Sequence, residues 1–149
     1  MTTETATMMR VDFDETVPVP VDVVYGYLRS PEDWPRLYGT FGDVRDLGDG
    51  WFAVPLPGER PDLEARMTVT RPNERAAWDL RGIFTGRGEV RLSESGGGTR
   101  ITGLEEIDVS AFENDQELLE TIDREFRAIW QIGWDRLREQ AREPAAGGV

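Results

Sequence analysis

A long amphipathic segment near the C-terminus, residues 114–142, constrains the fold of this chain more than any other feature. Apolar residues recur in it at steps of three or four and therefore share one stripe of a helix. The stripe consists of Leu118, Ile122, Phe126, Ile129, Gly133 and Leu137, widened by Leu119, Trp130 and Trp134. Asn114, with Glu117 three residues later, predicts a capping box at its start. A stripe this broad and aromatic needs a large concave surface to pack against. The segments upstream are the candidate for that surface.

The upstream segments alternate between apolar and polar residues with a period of two, which predicts strands of an antiparallel sheet that is apolar on one face. The predicted order is a strand over residues 9–17, a helix over 21–28, a second short helix that begins after Ser30, and then about six strands. The last six cover residues 41–47, 51–54, 63–70, 76–80, 84–92 and 101–107. Gly86, Gly88 and Gly103 fall on the inner face and predict either strong bending or room for a ligand.

The composition excludes several chemistries. The chain of 149 residues has no Cys, no His and no Lys, so all 17 basic residues are Arg. A Ser-His-Asp triad, a Cys nucleophile, a Schiff-base lysine and a Cys/His zinc site are therefore impossible. Acid–base chemistry would fall to Asp, Glu, Tyr or water, and the sequence predicts no cofactor and no metal.

The formal net charge of −12 makes nucleic acid and anionic membranes unfavourable partners. High-GC coding and a saline habitat both explain acidity combined with Arg-only basicity. No stretch approaches the about 20 apolar residues of a membrane span, and the N-terminus lacks the pattern of a secretory signal. We therefore expect a cytoplasmic protein with one domain over residues 1–149, flexible tails at 1–7 and 144–149, and a monomeric or homodimeric state.

Two carboxylates, Glu15 and Glu105, fall at inward positions of the first and last predicted strands. If they lie close together in a cavity, one of them has a raised pKa and is able to transfer protons. The alternative is that each reaches water or pairs with an Arg. Charges on neighbouring strands, such as Asp79, Arg81 and Glu89, alternate in sign. They predict cross-strand ion pairs on a solvated face or, if a bulge reverses the faces, a polar wall.

Aromatic residues are abundant for a chain of this length and predict either a plain core or the wall of a ligand pocket. Trp78 and Trp130 are the foremost candidates for the wall. The residues predicted to bind a ligand are Trp34, Tyr38, Trp51, Met67, Trp78, Phe84, Glu105, Phe126 and Trp130.

Several motifs resemble the START-like (SRPBCC, helix-grip) superfamily, which includes the polyketide cyclase/dehydrase group. Residues 17–25 (VPVPVDVVY) and 30–34 (SPEDW) are similar to its first helix and its acidic-x-x-Trp elbow. Residues 98–102 (GTRIT) resemble its Gly-Thr-x-Val-Thr element. The ending 132–137 (IGWDRL) is similar to the Gly-Trp-x-x-Leu of the relatives that activate heat-shock ATPases. The order and spacing of these motifs cover nearly the whole chain.

The resemblance implies an α+β helix-grip fold, in which a curved seven-stranded antiparallel sheet surrounds the last helix and an elongated cavity. It implies binding of a small apolar molecule such as a polyketide or lipid, with a polyketide cyclase or dehydratase as the enzymatic form. Two alternatives remain open, a non-enzymatic interaction module and a carrier of a lipid or metabolite. Because this fold hosts many functions, it does not choose among them.

Overall fold

A computed structural model describes residues 7–39, 43–56 and 61–142. Strands and helices follow one another in the predicted order. They are β1 (Met8–Val17), α1 (Val21–Leu28), α2 (Trp34–Tyr38), β2 (Arg45–Gly48), β3 (Trp51–Val54), β4 (Leu63–Arg71), β5 (Arg75–Arg81), β6 (Gly86–Ser95), β7 (Gly98–Asp108) and α3 (Gln116–Arg142). Short 3-10 turns precede α2 and α3. The predicted start of the second strand at residues 41 and 42 lies outside the described residues, as do most residues of the two predicted tails.

Over the described residues the seven strands form one antiparallel sheet in the order β1-β7-β6-β5-β4-β3-β2. The first and last strands are therefore neighbours, with Val11 of β1 opposite Glu105 of β7. The sheet curves around α3, whose apolar stripe is buried against it. The predicted α+β helix-grip fold is confirmed.

Helix α3 begins one residue later than the predicted capping box implies. The carboxylate of Asp115, and not the side chain of Asn114, accepts the backbone N–H of Leu118 at 3.0 Å. Asp115 is held there because its own N–H donates to the carbonyl of Phe112, at 2.9 Å, in the preceding turn. Acids are favoured at this position because the free N–H groups of a helix start are positive.

The short helices α1 and α2 form an elbow over one end of the sheet. Ser30 accepts the N–H of Glu32 at 3.3 Å, and Pro31 occupies the first position of the turn, as the sequence predicts. Gly39 ends α2 in the left-handed conformation at φ 72°. The fully buried indole of Trp34 donates to the carbonyl of Leu28 at 3.4 Å, which ties the second helix to the end of the first.

The inner glycines bring protein groups close together. A Cβ on Gly103 would lie 2.0 Å from the carbonyl oxygen of Glu89, so this position permits close approach of β6 and β7. A Cβ on Gly88 would lie 2.4 Å from the ring of Trp78. The space that Gly88 provides is thus filled by a side chain of the protein itself.

The outer face of the sheet carries the predicted cross-strand ion pairs. Arg75 contacts Glu89 at 2.7 Å, Arg81 contacts Glu64 at 2.9 Å, and Arg66 contacts Asp79 at 3.6 Å. These pairs are partly or well exposed, so each contributes little to stability, on the order of 0–1 kcal/mol. Among the described residues, no helix is both long and apolar enough to cross a bilayer.

Candidate functional site

The inner face of β7 holds a buried carboxylate, Glu105, which is only 3% exposed. Its two oxygens have different partners. Oε2 accepts the Nε1–H of Trp78 at 3.0 Å, and Oε1 accepts the Nε1–H of Trp130 at 2.9 Å. Burying a charged group is unfavourable unless it is hydrogen-bonded, and these two donors provide that compensation.

The register of the strands explains how Trp78 reaches Glu105. Gly88 of β6 stands opposite Glu105 of β7 on one side and opposite Trp78 of β5 on the other. Because Gly88 has no side chain, the indole of Trp78 lies across β6 and bridges two strands that are not neighbours. Trp130 approaches the same carboxylate from α3.

Stacked and edge-on rings surround the carboxylate, and we call Trp34, Trp78, Trp130 and Trp134 the tryptophan cluster. The ring centroids of Trp78 and Trp130 lie 5.6 Å apart, and those of Trp130 and Trp134 lie 5.4 Å apart, both as stacked pairs. Trp34 meets Trp78 edge-on at 5.1 Å. All four rings are 3% exposed or less. Next to Glu105 the interior is packed with indole rings. These rings fill the space that the sequence predicted between the sheet and α3.

Burial raises the pKa of Glu105 from 4.5 to about 7, while the two indole hydrogen bonds act in the opposite direction. A buried carboxylate whose hydrogen-bond partners are neutral indoles resists ionisation because its charge is poorly solvated. The neighbouring phenol of Tyr38 is also buried. Burial first, and the Glu105 charge second, raise its pKa well above the ordinary value of 10.0.

Glu15 does not lie next to Glu105, and for Glu15 the structure shows the alternative, a pair with an arginine. Glu15 stands opposite Ile101, whereas Glu105 stands opposite Val11, four residues earlier on β1. Glu15 is partly exposed and pairs with Arg138 of α3 at 2.5 Å. The two side chains share a face, but they lie at different heights along it.

An apolar pocket of about 470 Å³ has a lining that includes none of the four residues of the tryptophan cluster. It lies between the first half of α3, the start of β4 and the loop 82–85 that joins β5 to β6. Its lining residues are Leu56, Pro61, Leu63, Ile83, Phe84, Thr121, Ile122, Glu125, Phe126 and Ile129. Phe84 meets Phe126 edge-on, with centroids 5.6 Å apart, so the loop and the helix are in contact across it.

The structure places the predicted ligand-binding residues in different parts of the molecule. Phe84 and Phe126 line the apolar pocket. Glu105 is buried, and four others belong to the buried core, namely Trp34, Tyr38, Trp78 and Trp130. Met67 packs against the core opposite Trp78.

Trp51 lies elsewhere, on the outer side of the sheet. The guanidinium groups of Arg81 and Arg66 stand 4.1 and 4.9 Å from its ring centroid. Such cation–π contacts account for the position of the ring without any ligand.

Most of the aliphatic lining of the pocket is not among the residues predicted to bind a ligand. Ile122 and Ile129 belong to the predicted stripe of α3, but the predicted set consists mainly of aromatic residues and does not include them. No pattern pointed to Leu56, Pro61 or Ile83, which flank the strands in loops. Among the described residues, no group of three or more acidic side chains is placed to hold a metal ion.

The comparisons with known proteins fit this geometry. No protein-family model and no curated protein matches the sequence. Among solved structures, the chain is similar to the ZhuI aromatase/cyclase from Streptomyces sp. R1128, with a TM-score of 0.71, 19% identity, and coverage of 96% of this chain and 100% of that one.

The chain is also similar to two solved structures that are not named as cyclases. One is the Aha1 dimer from Colwellia psychrerythraea, with a TM-score of 0.63, 10% identity, and coverage of 87% and 96%. The other is Ara h 8.0201, with a TM-score of 0.61, 11% identity, and coverage of 88% and 98%. At these identities the likeness shows the fold. The chain therefore has the helix-grip fold that these solved structures share.

Proposed function

We propose that this protein binds a small apolar molecule in the pocket between α3 and the loop 82–85. The observation that carries the proposal is the pocket itself, about 470 Å³ in volume and lined mainly by aliphatic and aromatic side chains. Pockets that bind small ligands commonly measure about 300–1,000 Å³ and have mostly apolar walls.

The lining indicates the chemistry of the ligand. Phe84 and Phe126 offer ring faces and edges, and Ile122 and Ile129 add aliphatic surface. Thr121 is a polar member of the lining, and its hydroxyl already donates to the carbonyl of Glu117 at 3.0 Å. A ligand with an apolar body and few polar groups fits such a wall best.

Polyketide cyclisation or dehydration is a second candidate, favoured by the likeness to the aromatase/cyclase. Glu105 is the buried acid that such chemistry would use, but it does not line the apolar pocket. We therefore place binding, as a receptor or carrier, ahead of catalysis.

A pair of exposed isoleucines provides a matched test of the binding site. Ile83 lines the pocket and is 54% exposed, whereas Ile132 lies on α3 outside the pocket and is 39% exposed. The probe is N-phenyl-1-naphthylamine, a neutral dye whose emission rises in apolar surroundings. We expect Ile83→Asp to weaken dye binding by about tenfold or more, because it places a charge against the apolar ligand.

Ile132→Asp should leave the affinity for the dye within about twofold of the wild-type value, since surface substitutions away from a site have small effects. Circular dichroism would confirm that both variants are folded. Equal dye binding by the two variants, or no binding by the wild-type protein at pH 8, would refute the proposed site.

A further inference from the structure

Glu105 occupies a hydrogen-bonding arrangement that suits its ionised state better than its protonated state. Each carboxylate oxygen accepts one indole N–H, from Trp78 at 3.0 Å and from Trp130 at 2.9 Å. An ionised carboxylate is purely an acceptor, whereas a protonated carboxyl group carries one O–H that must donate. Two inward-directed N–H donors therefore match the ionised form.

We propose that protonation of Glu105 releases one of the two indoles and thereby weakens ligand binding in the apolar pocket. The inference rests on the proposed function and adds a means of regulating it. In the ionised state both tryptophans are fixed on one carboxylate. In the protonated state one oxygen carries the proton and becomes a weaker acceptor, so the indole that faces this oxygen is held less firmly and is released.

Trp130 connects the carboxylate to the pocket. It follows Ile129 directly in α3 and lies one turn after Phe126, and both of these residues line the pocket. The bond from Trp130 to Glu105 thus fixes this part of the helix against the sheet. A wall that is fixed before the ligand arrives loses less conformational freedom on binding, so the ionised form binds the ligand more tightly.

Among the described residues, Tyr38 and Glu15 are the titratable groups to consider on the elements around Glu105. On α2 the neighbouring titratable group is Tyr38, whose raised pKa keeps it neutral. On β1 the inward acid is Glu15, which pairs with an arginine of α3 farther along the strand. On β6 and β5 the residues aligned with Glu105 are Gly88 and Trp78. The burial that raises the pKa of Glu105 to about 7 places the change of state in an accessible pH range.

Nuclear magnetic resonance of the indole N–H groups tests the release directly. The wild-type protein is titrated from pH 8 to pH 5.5, and its indole resonances are assigned with Trp78→Phe and Trp130→Phe. We expect the resonances of these two tryptophans to shift with one common midpoint. In Glu105→Gln, which cannot ionise, they should stay in place over the same range.

Dye titration tests the coupling to the pocket. We expect the affinity of the wild-type protein for N-phenyl-1-naphthylamine to fall about threefold to tenfold from pH 8 to pH 5.5, the effect of one lost hydrogen bond. Its midpoint should equal that of the indole shifts, and Glu105→Gln should show no fall. If that variant does not fold, the wild-type protein alone tests the coupling, through the agreement between the midpoint of the indole shifts and the midpoint of the fall in dye affinity.

Three results would overturn the inference: indole resonances that do not move, dye affinity that is equal at both pH values, or a fall that persists in Glu105→Gln. Failure of the proposed function has a different signature. In that case the dye does not bind at pH 8, and the coupling fails with it. Binding at pH 8 without pH dependence leaves the pocket intact and removes only the role of Glu105.

Discussion

Trp78 and Glu105 are hydrogen-bonded, Nε1 to Oε2 at 3.0 Å, although a whole strand separates β5 from β7. The bond exists because the residue between them is Gly88, whose missing side chain leaves room for the indole. An inner glycine, a tryptophan and a carboxylate thus form one unit. This unit fills the part of the interior, on the inner face of the sheet, in which the sequence predicted a ligand.

Gly88→Ala should break this unit. A Cβ at position 88 would lie 2.4 Å from the Trp78 ring, which has no flexible end that could move aside. We expect the free energy of unfolding to fall by about 1–3 kcal/mol, as for other overpacked cores. Urea denaturation measures the change.

Gly26→Ala is the matched control for that substitution. Gly26 lies in α1, and a Cβ there would meet nothing within 4 Å. Alanine favours a helix over glycine, so this variant should gain up to about 1 kcal/mol. Equal stability losses at the two positions would contradict the account given for Gly88.

The stability of the wild-type protein should depend on the ionisation of Glu105. Burial raises its folded-state pKa to about 7, above the ordinary value of 4.5, so the folded protein holds this proton more tightly than the unfolded chain. The contribution of Glu105 to the free energy of unfolding therefore falls as the pH rises from about 4.5 to about 7 and is constant above that. The full fall amounts to about 3 kcal/mol.

Urea denaturation of wild-type protein and Glu105→Gln at pH 5, 6, 7 and 8 isolates this contribution. The free energy of unfolding of the wild-type protein should fall relative to that of Glu105→Gln as the pH rises, because Gln does not ionise. Taking the difference removes the effects of other acids, such as Glu89, whose pKa is lowered by Arg75 in both proteins. A difference that is independent of pH would show that Glu105 titrates normally.

Thr99 provides a test of a buried hydrogen bond outside the pocket. Its side chain is fully buried, and Oγ1 donates to the carbonyl of Val19 at 2.7 Å. Thr99→Val keeps the shape but leaves that carbonyl without this donor, so we expect a loss of about 1–3 kcal/mol in the free energy of unfolding.

Thr121→Val removes a bond of the same kind at the surface, where Oγ1 donates to the carbonyl of Glu117 at 3.0 Å. Water replaces the lost partner there, and the change should stay within about 0.5 kcal/mol. Thermal unfolding followed by circular dichroism would compare the two variants. A larger loss for Thr121→Val than for Thr99→Val would be inconsistent with the burial of Thr99.

The sequence by itself determined the order of the elements and the faces that they bury. The predicted helix over residues 21–28 has the bounds of α1, and the apolar stripe of α3 is buried as its periodicity indicates. Alternation also placed Glu105 on the inner face. Such patterns are local consequences of helix and strand geometry, so a single sequence reveals them.

Only the tertiary structure decided which inward residues meet. Glu15 and Glu105 share a face by alternation, yet strand register sets them apart, and Glu15 pairs with Arg138 while Glu105 binds two indoles. The apolar pocket likewise depends on loop residues such as Ile83 that follow no period. Register, ring orientation and loop position arise from packing between distant segments, and periodicity along the chain carries no information about them.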